Sequence, residues 1–428
     1  METKTDSKIM ILTGNHAASN AVKLCKPDVI AAYPVTPQTS LVEELNRFRA
    51  DGEMDAEFVD VESENSAMAV CIGASNAGAR VFTATSSFGL VYMYDVFTRA
   101  AGHRLPVVMV NANREPPIMG GLARGRQDML MMRDTGWIQL ECQNCQDIFD
   151  TILVAYRLAE DPDVLLPVMV SYDGWYVSFL LEKVEIPSQE AVDKFLAPVA
   201  DVERLRIIPG YPGEAPNPQH APLKPPENFM EVRLKHGLAM EKAMDKIEEV
   251  AVEFEDAFNR PFITKIEEYR TEDADSVLVA MGGEAMTAKV VVDKKREEGK
   301  KVGLVRLRMF RPCPEKELAA ALKGKKAIGV LEQGVAHGWN RGQILMDLKA
   351  VMYNAQENIP MINFFDGMNG GDITLDHIEK AIDITIDAAQ GKKVEDYYWL
   401  ALPWLHDDNY VSDGSELSTR KVVSAAKK

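Results

Sequence analysis

The sequence predicts an α/β protein of two units, a parallel-sheet domain followed by a smaller α/β domain. Three observations carry that prediction. Short β-branched runs alternate with longer helical patterns over the first 180 residues, the signature of a parallel sheet covered on both faces. A proline-dense stretch breaks the alternation at 209–226, and a second strand–helix series follows it. The chain, at 428 residues, is too long for one core and suits about two or three domains.

In the first unit the candidate strands are Lys8–Leu12, 28–33, 81–86, 107–112 and 168–172. Between them lie amphipathic or Ala-rich stretches such as 66–80, whose small side chains allow close packing. The strands end in polar turns at Tyr33-Pro34, Ser86-Ser87 and Asn113-Arg114. Ligands of parallel sheets gather at the carboxyl ends of the strands, so these turns are where chemistry is expected. Seven prolines within 209–226 exclude regular structure and predict an extended linker. A helix is expected over 230–258, with Leu234, Leu238, Met244, Ile247, Ala251, Phe254 and Phe258 near the helical period and Glu241 interrupting the stripe. The second unit's strands are expected at Ser276–Met281, Val302–Leu307, 327–331 and 360–365, each followed by a helical stretch. An aromatic end follows (Tyr397, Tyr398, Trp399, Trp404); it either docks on a partner or packs on the chain's own core. The expected limits are 1–205 for the first domain, 206–260 for linker and connecting helix, 261–390 for the second domain and 391–428 for the aromatic segment and tail.

Composition narrows the function. Apolar residues make up 46% and charged ones 26%, the balance of a globular protein. No apolar run reaches the ~18–20 residues a membrane span needs, and the start carries only a short apolar stretch at 9–12. A net charge of −17 argues against nucleic acid or an anionic membrane as the main partner. The expected location is the cytoplasm. Five cysteines form no disulfide framework. Cys142 and Cys145 make the one C-x-x-C, but no second pair completes a metal site. They read as two thiols packed near a strand end, so any redox clusters belong to another chain.

Several turns could carry chemistry. In Tyr33-Pro34-Val35-Thr36-Pro37-Gln38-Thr39, two prolines fix the backbone around a hydroxyl that could orient a small polar ligand. The same residues could be a strand-to-helix turn capped by Thr39 or Ser40. The acid-rich run from Val59 to Met68 suits either helix capping or a carboxylate buried against a heteroaromatic nitrogen. In Asn113-Arg114-Glu115-Pro116-Pro117, arginine offers forked recognition of a carboxylate or a plain surface ion pair. Arg133-Asp134-Thr135-Gly136-Trp137 decides nothing alone. The glycine-rich run from Gly334 to Gly342 lies where amides can cradle a phosphate, yet matches no standard phosphate loop. No G-x-S-x-G, H-E-x-x-H or Walker sequence occurs, so hydrolase chemistry has no support.

Taken in order, Gly14-Asn15, AAYPVTPQT, VESENSAMA, TATSSFGL, Arg114 and RDTGW resemble the α subunit of 2-oxoacid:ferredoxin oxidoreductases. Pyruvate:ferredoxin oxidoreductase is the best-known member, and the phenylglyoxylate-oxidising branch is another place the chain could belong. The resemblance runs on through EDADSVLVAMGG, KVGLVRLRMFRPCP and GMNGGDIT to about residue 390.

That resemblance implies thiamine diphosphate chemistry on a pyrimidine-binding-type domain followed by a transketolase C-terminal-like domain. Glu64 matches the cofactor glutamate, which bonds the aminopyrimidine and favours the tautomer that removes the thiazolium C2 proton. Pro34 lies on the loop that flanks the cofactor. Thr36 and Arg114 match the positions that hold the 2-oxoacid, Arg114 by its carboxylate. The implied reaction is oxidative decarboxylation to an acyl-coenzyme A, with electrons passing to iron–sulfur clusters. No Gly-Asp-Gly occurs, so diphosphate, Mg2+, clusters and a γ-type subunit would come from partner subunits. His16 stands where the family usually has Glu, and Cys313 where RPFP is usual. After Arg114, Ile118 and Met119 offer apolar contact and Gly120-Gly121 removes bulk, which could admit a ring. The expected substrate is therefore an aryl 2-oxoacid such as phenylglyoxylate, or pyruvate. A non-redox decarboxylase subunit and a scaffold without catalytic groups are the alternatives.

Overall fold

The computed structural model describes residues 7–116, 122–200 and 226–402. Strands in the first half are β1 (Lys8–Leu12), β2 (Val29–Ala31), β3 (Glu57–Val59), β4 (Val81–Thr85), β5 (Val108–Asn113), β6 (Ile138–Cys142), β7 (Val168–Asp173) and β8 (Glu182–Ile186). The second half adds β9 (Ile266–Tyr269), β10 (Ser276–Met281), β11 (Val302–Leu307), β12 (Met309–Arg311), β13 (Ala327–Glu332), β14 (Met361–Phe365) and β15 (Tyr397–Trp399). The chain divides into two compact units. The first takes in Met1–Glu267, Met281–Met286 and Arg306–Glu317, and the second Glu268–Ala280, Thr287–Val305 and Leu318–Lys428.

The first unit is built on a seven-stranded sheet of order β12-β6-β7-β5-β4-β2-β3. Every pairing from β6 to β3 is parallel, and β12 closes the edge antiparallel to β6. β4, β5, β6 and β7 are buried along their whole length, as strands covered on both faces must be. Helices α1 (Gly14–Cys25), α2 (Thr39–Ala50), α3 (Glu64–Asn76), α4 (Phe88–Tyr92), α5 (Tyr94–Gly102), α6 (Gln127–Met131) and α7 (Cys145–Ala159) connect the strands. One expected strand is placed elsewhere. β1 pairs antiparallel with β8 in a separate two-stranded sheet, because Ile9 and Ile11 are exposed and cannot join a doubly covered layer.

The connecting helix spans Pro226–Phe258. Its buried stripe runs Ala239, Ala243, Ile247, Val250, Phe254 and Phe258, whereas Leu234 and Leu238 of the expected stripe are exposed. Phe254, Phe258 and Phe195 pack ring against ring, which anchors only the carboxyl-terminal half of the helix. The predicted linker falls largely on 201–225, outside the described residues.

The second unit holds a six-stranded sheet of order β15-β14-β13-β10-β11-β9, with β10, β13, β14 and β15 parallel. Tyr397, Tyr398 and Trp399 form β15, and Trp399 and Tyr398 lie against Phe365 and Phe364 with ring centroids 4.7 and 5.8 Å apart. These three rings are thus taken up by the unit's own sheet; Trp404 lies outside the described residues. No described helix is long and apolar enough to cross a membrane.

Candidate active site

The polar turns at the carboxyl ends of β2, β4, β5 and β7 meet in one region of the first unit. The turn after β2 carries Pro34 and Thr36. It is held from below by Asn15, whose Nδ2 donates to Pro37 O at 2.7 Å and to Ser40 Oγ at 2.8 Å. Tyr172 Oη in turn donates to Asn15 Oδ1 at 2.8 Å. Gly174, after β7, is needed here, since a Cβ on it would stand 2.8 Å from Pro37 Cγ and 2.2 Å from Asn113 O. Neither Thr39 nor Ser40 caps α2. Gln38 takes the cap position and sends its Nε2 to Tyr33 O at 2.8 Å, so its side chain shapes the turn rather than the helix end.

Arg114 leaves the end of β5 and is buried. Its Nη1 donates to Thr36 O at 3.0 Å, so the two residues expected to hold a 2-oxoacid are in direct contact. Burial lowers the guanidinium pKa, with Asp128 acting in the opposite sense. Pro34, on the same turn as Thr36, is exposed.

Glu64 opens α3. Ser63 caps that helix, accepting from Ser66 N at 3.2 Å, while Glu62 accepts from Ser66 Oγ at 2.6 Å. Capping therefore falls to Ser63 and leaves Glu64 available. Glu64 is half-buried, and its carboxylate takes no hydrogen bond among the described residues. It lies against Gly89 of α4, where an added Cβ would stand 2.6 Å from Glu64 Oε1 and 2.4 Å from Thr85 Oγ1. The Thr85 hydroxyl is buried with no hydrogen-bond partner in the described structure. A carboxylate and an unmatched hydroxyl converging over a missing Cβ form a cradle suited to a polar heteroaromatic ring. Those residues fit the aminopyrimidine half of thiamine diphosphate.

Beneath these turns runs a buried ionic network that no local pattern predicts. Asp128, at the start of α6, accepts from Ser87 N at 3.0 Å, Arg114 N at 3.1 Å and Asn111 Nδ2 at 3.1 Å on Oδ2, and from Met129 N at 2.7 Å on Oδ1. Glu141, within β6, accepts Asn113 Nδ2 at 3.0 Å and Arg126 Nε at 2.9 Å. Arg126 also forks onto Glu284 at 2.6 and 3.0 Å. Burial raises the pKa of Asp128 to about 6, against the pull of its amide donors, and that of Glu141 to about 7, against Arg126. Glu115, beside Arg114, is pushed up to about 8 by burial and then by Asp128. These residues are scattered from 111 to 284, and their only sequence signal is a charge inside an otherwise apolar strand or short helix.

Other singled-out residues are structural. Trp137 of the RDTGW run stacks on Phe97 at 3.9 Å and donates Nε1 to Phe97 O at 2.8 Å. Cys142 and Cys145 are buried, their thiol pKa values raised by desolvation, and no described cluster of His, Cys, Asp or Glu is placed to hold a metal. In the Gly334–Gly342 run the amide of Gly342 donates to Asn363 Oδ1 at 2.7 Å. The buried Glu332 carboxylate takes the amide of Leu345 at 2.6 Å at the start of the helix Gln343–Asn354.

Residues 20–256 match the family described as "Pyruvate flavodoxin/ferredoxin oxidoreductase, thiamine diP-bdg", and 274–378 match "Pyruvate:ferredoxin oxidoreductase core domain II". The chain belongs to the pyruvate flavodoxin/ferredoxin oxidoreductase family. It is 42% identical over 395 residues to pyruvate synthase subunit PorA of Pyrococcus furiosus, covering 92% of this chain and 98% of that one. It is 37% identical over 379 residues to the α subunit of NADH-dependent phenylglyoxylate dehydrogenase of Aromatoleum evansii, covering 88% and 91%.

Two solved structures share the fold. The 2-oxoglutarate:ferredoxin oxidoreductase of Magnetococcus marinus, solved with 2-oxoglutarate, coenzyme A and succinyl-CoA, matches at a TM-score of 0.69 and 21% identity, over 88% of this chain and 65% of that one. The chain therefore spans just under two thirds of that longer chain. A split-gene transketolase, described as an inactive β4 tetramer, matches at 0.54 and 12%, over 88% and 99%. The expected architecture, a pyrimidine-binding-type domain with a transketolase C-terminal-like domain, holds.

Proposed function

We propose that this chain is the α subunit of a cytoplasmic, multi-subunit oxidoreductase that decarboxylates a 2-oxoacid to an acyl-coenzyme A and passes the electrons to iron–sulfur clusters in partner subunits. The single observation that carries the reading is the contact of Arg114 with the Thr36 turn, at strand ends of the same sheet whose β4 ends in Thr85.

Thiamine diphosphate, when bound, supplies a carbanion nucleophile and an electron sink at the keto carbon. The chain's own residues do the rest. Glu64 accepts the pyrimidine N–H and holds the proton balance of that ring, and Thr85 offers the hydroxyl beside it. Arg114, kept straight by Thr36 O and desolvated by burial, binds the carboxylate of the 2-oxoacid in a charge-assisted pair. Thr36 and Pro34 wall the pocket on the β2 side. Lacking a Gly-Asp-Gly, the chain supplies half a site; diphosphate, Mg2+ and clusters come from partners carrying the corresponding motifs.

The acyl group is the part to test first. The relatives' names divide between pyruvate and phenylglyoxylate, and the apolar, bulk-free run after Arg114 favours the aryl acid. Its residues 117–121 lie outside the described structure. Steady-state kcat/KM of the purified complex with both acids decides the matter, because that ratio reports differential transition-state binding. Phenylglyoxylate is expected to be the better substrate. A pyruvate preference of about tenfold or more would overturn the aryl reading and leave the 2-oxoacid activity standing.

A further inference from the structure

We propose that Asp128 is the positioning residue of the substrate arginine, the group that sets where Arg114 stands relative to the turn that backs the cofactor cradle. The proposal rests on the 2-oxoacid reading and names the residue on which its substrate clamp depends.

Asp128 is fully buried, and its Oδ2 gathers three donors from two different strand ends. Ser87 N belongs to the turn after β4, Asn111 Nδ2 to β5 itself, and Arg114 N to the residue that leaves β5. One oxygen therefore pins the arginine backbone to the β4 turn. Oδ1 fixes the carboxylate in turn by taking the amide of Met129 in α6. Ser87 shows how firmly that turn is held. Its φ of 56° and ψ of −123° are backbone values that favour glycine, a strain that persists only where surroundings over-determine it. Here the constraints are its own N–H on Asp128 and its Oγ on Glu115 O at 3.2 Å. Two residues further on is Gly89, which lies against Glu64 and Thr85. A carboxylate is needed because all four partners are donors and an amide side chain offers one acceptor. Asp128→Asn removes the charge that strengthens all four bonds and turns its NH2 toward at least one N–H, that of Met129 where the amide oxygen keeps the Oδ2 partners, so the Ser87 turn and Arg114 are held more weakly.

The test uses the assembled complex. Asp128→Asn is expected to raise the KM for the 2-oxoacid about tenfold, as loss of one charge-assisted hydrogen bond implies, with kcat within about threefold. The KM for coenzyme A and the C2 proton exchange of bound thiamine diphosphate, followed by NMR, are expected to stay at wild-type values. A merely structural role would raise the coenzyme A KM and slow C2 exchange along with the change in the 2-oxoacid KM, and that result overturns the proposal. Asn111→Ala, which removes one donor and leaves the carboxylate, keeps the proposal testable if Asp128→Asn fails to assemble. It is expected to raise the same KM about threefold; an unchanged 2-oxoacid KM in whichever variant assembles overturns the role of Asp128. If the wild-type complex shows no 2-oxoacid-dependent reduction of any acceptor, the functional reading itself fails and the proposal with it.

Discussion

Each unit of this protein presses a glycine against a glutamate at a strand or helix end, yet the two glutamates differ in burial and in bonding. In the first unit a Cβ on Gly89 would come within 2.6 Å of Glu64 Oε1; in the second, a Cβ on Gly342 would come within 1.1 Å of Glu332 Oε2. Glu64 is half-buried and takes no hydrogen bond from the described residues. Glu332 is fully buried, bonded to Leu345 N, and pushed up to about 8 by burial. In both cases the missing Cβ makes room for the protein's own carboxyl, which at Gly89 shares the space with the Thr85 hydroxyl. Exposure of the glutamate, not the glycine–glutamate pairing, distinguishes the two: Glu332 is fully buried, with Oε2 unpartnered in the described structure, whereas Glu64 reaches solvent.

The sharpest way to break that comparison is at Glu64. Glu64→Gln keeps shape and one acceptor but cannot carry the charge, so in the assembled complex C2 proton exchange is expected to slow about a hundredfold or more. Near-wild-type exchange by NMR would remove Glu64 from the mechanism and make both glutamates structural.

The two glycines provide a paired test. Gly89→Ala is expected to raise the thiamine diphosphate concentration for half-maximal activity about tenfold while leaving the melting temperature within a few degrees, since the displaced atoms are a half-exposed side-chain end and one hydroxyl. Gly342→Ala is expected to lower the melting temperature by about 3–10 °C, the effect of overpacking a buried group, with the cofactor requirement unchanged. Calorimetry and cofactor titration on both variants check it, and an exchange of the two phenotypes would refute the assignment of roles.

The smallest effect is one of pH. Folding holds the Glu332 carboxyl protonated up to about pH 8, whereas in the unfolded chain it ionises near about 4.3. Its contribution is thus complete below about pH 4 and is lost as pH rises through its folded pKa. Glu332→Gln cannot ionise, so the decline of melting temperature between about pH 5 and pH 8 is expected to be shallower than in wild type. Parallel melting curves for the two proteins across that range would show that Glu332 is not protonated in the fold.

Much of the architecture was legible before any coordinates. β10 and β11 fall on their predicted residues, β4, β7, β13 and β14 differ by one residue at an end and β5 is shifted by one, because continuous β-branched runs have only one use in a covered parallel sheet. Glu64, Thr36 and Arg114 were legible as a set only through the ordered motifs, since each residue alone admits a cap, a turn or a surface pair. The structure adds a bond between two of them, from Arg114 Nη1 to Thr36 O at 3.0 Å, which no spacing along the chain announced. Leu234 and Leu238 show the limit of periodicity. They continue the helical stripe, but no described residue buries them, and they stay exposed.

By itself the sequence determined the alternation of elements, the two α/β units, the absent Gly-Asp-Gly and the order of motifs that places the chain in its family. These are properties of local composition and spacing, and they need no knowledge of what packs where. Only the tertiary structure decided that β1 leaves the main sheet, that the buried Glu332 meets the amide of Leu345, and that Asp128 ties Ser87 to Arg114. Each of these depends on groups dozens of residues apart meeting in a buried, low-dielectric place, where an unpaired charge is costly and must find its partners across the fold. Spacing along the chain carries no record of that meeting.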